Sequence, residues 1–263
     1  MNARAAARLA APLLLALALG AAGAGAADRS LEQVKAALAA AAPDHPARFD
    51  GADLSDLDLS GLDFRQASLQ GANLFASRLV RANFAGADLA GANLNGAWLM
   101  GADFTGAKLA GASLLSVVVL GGEVKQMPVF ERADLHGVRM IADLPGANLA
   151  GADLDDARLG VDIRNQGMGQ MRTDLSGAKL ARARLANADV SRTLLPFADL
   201  SGCDLRGTNF FRARLAGANL EGADVSGADF TEADLAGTVL RGAKGLAQAK
   251  GLDRAENVDQ AVR

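Results

Sequence analysis

Tyrosine is absent from this 263-residue chain, tryptophan occurs once, and aromatic residues make up only 4% of it. A large globular centre built on rings is therefore excluded, although half of the residues are apolar and the length is ample for a sizeable core. Cysteine occurs once, as Cys203, so no intrachain disulfide is possible. Histidine occurs twice, as His45 and His136, which leaves little material for metal ligation or general-base chemistry. No H-E-x-x-H, G-x-S-x-G, phosphate-loop or paired-cysteine motif is present. These absences point away from an enzyme, and no cofactor or metal site is expected. A Ser-His-Asp set or ligand site built around His136 is the rival reading. Neither sign of charge dominates, with 27 Lys+Arg against 30 Asp+Glu. That balance argues against nucleic acid or an anionic membrane surface as partner.

What is abundant is Ala, Gly and Leu. Residues 1–27 carry Arg4 and Arg8, then the apolar "LAAPLLLALALGAAGAGA", ending in small residues. This reads as a secretory signal peptide cleaved before Ala27 or Asp28, with no membrane span left after cleavage. The expected location is periplasmic or secreted. Loss of Arg4 and Arg8 leaves 25 basic against 30 acidic residues, a net charge of −5.

From residue 50 onward Leu or Phe recurs every fifth residue, as in "GADLAGANLNGAWLMGADFTGAKLAGASL" (86–114). Five matches neither the helical period nor the strand period. A chain that turns a corner every five residues keeps all these centres inward. Phe64, Phe84 and Phe104 are spaced by 20, as are Phe210 and Phe230. Four units per coil would stack each set, so a four-sided parallel solenoid is expected. Ala two places before each centre suits a narrow interior, Gly before it suits the bend, and Asp or Asn one place before the centre points outward. By this assignment Phe84→Ala costs roughly 3–5 kcal/mol, and Asp88→Ala under about 0.5 kcal/mol.

The units "ADLAG", "ANLNG" and "ADFTG" resemble the pentapeptide-repeat family over residues from about 50 to 243. The resemblance implies an all-β fold, a right-handed quadrilateral parallel β-helix. The family is functionally diverse, so the fold alone does not specify a job. Some members mimic DNA and bind type II topoisomerases. A leader and a net charge near −5 argue against that role here.

The expected organisation is a leader (1–27), a short capping helix and linker (28–49), the β-helix (50–243) and a partly helical C-terminal cap or tail (244–263), frayed over about its last ten residues. "SLEQ" at 30–33 fits a capping box. The beat breaks near 120–134 and 160–172. If Val124 and Val129 count as units, both insertions leave from one side; otherwise they lie half a turn apart. Cys203 takes an Ala slot and is expected to face inward.

The preferred functional reading is a non-enzymatic exported binding or structural module, whose partner is another protein or a second copy. Grouping outward residues by 20 gives a candidate patch of Arg78, Val80, Trp98, Met100, Val118 and Leu120, joined by Val129 and Phe130 from the first interruption. Trp98 stands where the repeat normally has Asp or Asn. The segment with Met127, Pro128, Val129 and Phe130 is expected to fold back over this stripe. The alternative is an open docking face.

Overall fold

The computed structural model describes residues 27–119, 126–161 and 172–263. The leader, Leu120 and most of the second interruption lie outside the described residues. Over the described chain the five-residue beat becomes a four-sided parallel β-helix of ten coils. Each side pairs with the side one coil away, as in Asp53↔Asn73↔Asn93↔Ser113. At about 4.8 Å per coil the stack is roughly 43 Å long. Outward residues begin the four faces at Arg48, Asp58, Asp63 and, between the first and third, Asp53. The first, second, third and fourth faces are named here in chain order from Arg48.

The backbone explains the repeat. In a typical unit the centre residue donates to the next coil (Leu54 to the Asn73 carbonyl, 2.8 Å), and the outward residue receives support from the previous one (Asn73 to the Ala52 carbonyl, 2.9 Å). The corner residue also donates onward (Gly51 to Gln70, 2.8 Å), and the small residue closes a turn (Ala72 to Leu69, 3.0 Å). The one amide left over follows the centre. An outward Asp or Asn side chain accepts it, as with Ala90 N–H to Asp88 (3.2 Å) and Thr105 N–H to Asp103 (2.9 Å). Outward Asp and Asn thus complete the amide accounting of the coil as well as facing solvent.

The interior is a column of centres and alanines with essentially no exposure. Phe64, Phe84 and Phe104 stack face to face at 4.7 and 5.0 Å, and Phe130 continues the stack at 5.1 Å. Phe210 and Phe230 form a second stack, at 5.0 Å, on the second face. Regular extended pairing occurs where β1 (Ser113–Val117) runs parallel to β2 (Arg139–Ala142), with an irregularity after Leu115.

At the start, α1 (Leu31–Ala39) has Ser30 as N-cap. Its hydroxyl accepts from the Gln33 amide (3.3 Å), while the Gln33 side chain accepts from the Ser30 amide (2.8 Å). Val34 of α1 is fully buried in the core cluster. No helix among the described residues is long and apolar enough to cross a membrane.

The far end differs from the frayed tail expected from sequence. Pairing continues through Lys244, Lys250, Glu256 and Val262, one residue on each face. The spacing has changed from five to six. Ala243, Ala249, Ala255 and Ala261 repeat at the new interval, and Leu246, Leu252 and Val258 follow suit, all packed against the core. Two short 3-10 turns, Leu252–Arg254 and Val258–Gln260, take up the extra residue.

Candidate functional site

The third face breaks the outward pattern. Its column reads Asp58, Arg78, Trp98, Val118, then Asp143, Asp174, Leu194, Arg214, Asp234 and Glu256. The second face, by contrast, carries only polar or charged residues in this column. Asp58 lies 3.6 Å from Arg78, whose guanidinium sits 5.0 Å over the Trp98 ring. Such stacking holds the indole in place while leaving it partly open to solvent. Because Trp98 cannot accept the spare amide of its unit, the Met100 N–H has no acceptor among the described residues.

Of the expected patch, Arg78, Val80, Trp98 and Val118 share this face, and Leu120 lies outside the described residues. Three members require correction. Met100 is buried, at 3% exposure. Phe130 is a core centre at the end of the phenylalanine stack, and Val129 is an outward residue of the fourth face, paired with Asp103 and Asn148. Pro128 fills the buried small-residue slot two places before Phe130. The segment expected to cover the stripe therefore forms the next side of the coil.

Further along the third face, Val117, Ile141 and Leu194 line a cleft of about 380 Å³ with Asp143 and Asp174 at its rim. Burial, and then the charge of Asp174, push the Asp143 carboxyl above its usual range. At the next corner Phe197 is 75% exposed, with its ring against Gly217. Ile141 and Leu194 were missed in the sequence reading because the interruptions shift the count of 20. Leu194 in a slot usually held by Asp or Asn was the available signal.

Both interruptions border this face. The first lies between Val118 on the third face and Val129 on the fourth. The second lies between Arg158 on the second face and Asp174 on the third. They leave from adjacent corners, two coils apart, which differs from both arrangements considered from sequence.

The other candidates are plain. His136 Nδ1 is 4.0 Å from Asp156, and both side chains are about half exposed, as in a weak surface pair. Cys203 is buried and its thiol donates to the Leu180 carbonyl at 3.0 Å. Burial pushes its pKa up to about 12, so it is held as an inert thiol. No group of three or more His, Cys, Asp or Glu among the described residues is placed to hold a metal ion.

Comparison with known proteins bears on this architecture. The family model described as "Pentapeptide repeats" matches residues 47–75, 77–114, 173–210 and 208–244, more than half of the chain. Comparison with curated proteins gives no match. Among solved structures, HetL from the cyanobacterium Nostoc sp. strain PCC 7120, described as a pentapeptide-repeat protein involved in heterocyst differentiation regulation, is 28% identical. The match covers 89% of this chain and 94% of HetL with a TM-score of 0.56. Rfr23 from the cyanobacterium Cyanothece 51142 is 29% identical, covering 46% of this chain and 90% of its own, with a TM-score of 0.23. QnrB1, a plasmid-mediated fluoroquinolone resistance protein, is 21% identical over 76% of this chain and 89% of its own, with a TM-score of 0.30.

Proposed function

Since this chain belongs to the pentapeptide-repeat family, we propose that it is an exported, non-enzymatic module that binds a protein partner on its third face. α1 and the six-residue coil serve as the two caps of the rod. The observation that carries the binding role is the Arg78–Trp98–Val118 column. It replaces residues that would complete the coil's amide bonds with an arginine-clamped indole and an aliphatic side chain. A partly exposed tryptophan held by a cation is a strong anchor for a partner, and both interruptions of the repeat have a flanking residue on this face, Val118 and Asp174. The leader supports export.

The test has two arms. Expressed with its own leader, the protein is expected to begin at Ala27 or Asp28. A cytosolic product starting at Met1 removes the export claim. For binding, the mature chain is titrated with periplasmic extract and with itself, following Trp98 fluorescence, beside Val118→Asp. A blue shift that the variant loses supports the third face. A shift that weakens on dilution of the protein alone identifies the partner as a second copy. A spectrum indifferent to both titrations overturns the binding role.

A further inference from the structure

The corner between the second and third faces is unlike the other three. Each coil needs a left-handed corner residue. Along the corner from first to second face, Gly51, Gly71, Gly91 and Gly111 fill this place, and the remaining two corners are also mostly glycine. Along the corner from second to third face the residues are Asp56, Ala76, Gly96, Ser116, Arg192, Arg212, Glu232 and Gly251. A side chain in this conformation costs about 1–2 kcal/mol relative to glycine, so this edge repeatedly retains side chains against backbone preference.

In coils seven and eight those side chains are arginines. Both guanidiniums flank one ring: Arg192 lies 5.5 Å and Arg212 5.0 Å from the Phe211 centroid. Arg192 makes no ion pair among the described residues, and Arg212 is held by Glu232 at 2.5 Å. Arg214 reaches the same space from the third face. The three arginines line a cleft of about 430 Å³ together with Arg172, Glu232, Asp234 and Glu256. Like charges one coil apart repel, and here both lie over one aromatic ring, Arg192 half-buried and Arg212 exposed.

We infer that this cleft is a binding site for a tetrahedral oxyanion, a phosphoryl or sulfuryl group, held between Arg192, Arg212 and Arg214. The three guanidiniums line one cleft, and Arg192 and Arg212 leave corners whose backbones are about 4.8 Å apart, so a tetrahedral group in the cleft can share its oxygens among their forks. Planar guanidinium forks suit that geometry. Glu232 already places a carboxylate on Arg212, so it stands in for the ligand and competes with it. The site is separate from the Trp98 column and does not depend on the partner proposed for it.

Inorganic phosphate is titrated into the mature chain at fixed ionic strength, and binding is followed by the shift in melting temperature and by phosphorus NMR. Saturable binding is expected, weakened at least tenfold in Arg192→Gln/Arg212→Gln. Glu232→Gln is expected to tighten binding severalfold, which mere loss of an ion pair would not do. Arg206→Gln, whose partner is Asp204 on the first face, is the control and should leave binding unchanged. Vesicles containing phosphatidic acid form the second arm. Binding to them with the same arginine dependence identifies a lipid headgroup as the source. Phosphate binding without vesicle binding identifies a free phosphate ester. Absence of binding in both arms, or equal loss in the Arg206→Gln control, overturns the site. Circular dichroism melts without ligand show whether each variant is folded.

Discussion

Asp88 shows how a surface residue can be part of the backbone's bonding. Its carboxylate accepts the Ala90 amide at 3.2 Å and the Gln70 side chain at 2.8 Å. Asp88→Ala should therefore cost about 1 kcal/mol, not the near-zero value expected of a solvated position. Asp88→Asn should restore most of it, and Phe84→Ala should cost about 3–5 kcal/mol; denaturant melts of the three variants check the order. Trp98 makes the opposite case. Asn at that place would accept the Met100 amide but lose the stacking with Arg78, two effects of about 1 kcal/mol each. Trp98→Asn should leave the melting temperature within a few degrees while removing partner binding. A large loss of stability would mean that the indole is structural. At this scale the sequence was informative wherever the count of 20 held. It placed Trp98 and the inward Cys203, but put Phe130 on the surface because the interruption moves it 26 residues from Phe104.

The closing coil is the element where a five-residue template concealed a six-residue one. Ala243, Ala249, Ala255 and Ala261 recur every six residues, so a five-residue template reads this end as irregular and frayed. Its corners are tighter than those of the body. A Cβ on Gly251 would lie 2.6 Å from the Thr231 Cα, whereas one on Gly91 would meet nothing within 4 Å; both have positive φ. Gly91→Ala should then cost about 1–2 kcal/mol from conformation alone. Gly251→Ala should cost more, and hydrogen exchange should show opening confined to residues after about 240. Equal effects from the two would contradict a tighter last coil. The interruptions were visible as elements, but their corners were not, since Val124 gave no way to decide whether a side of the coil had been completed.

Across the whole molecule, the four-sided fold was readable because its largest side chains, Phe64, Phe84 and Phe104, mark every fourth side. The make-up of the third face was only partly readable, because it depends on neighbours brought together across coils of unequal length. Acid should act on the rod as a whole. The Arg65 side chain holds the Asp63 carboxyl below its ordinary range, Arg206 does so for Asp204, and the Ser226 hydroxyl for Asp224. A depressed folded-state pKa adds stability that is present above the unfolded value, near 3.9, and disappears as pH falls through the folded one. The melting temperature should hold steady between about pH 7 and 5 and decline below about 4. A maximum below pH 4 would contradict the direction of these shifts.

The phenylalanine stack passes from Phe104 to Phe130 at 5.1 Å, almost the spacing of its uninterrupted steps. Register is thus kept by each coil clasping the one before it, while the length of chain spent between clasps is free to vary. The junction after residue 119 is accordingly a natural graft point. Segments of different length and chemistry can be exchanged there beside the third face while the rod that carries them stays unchanged.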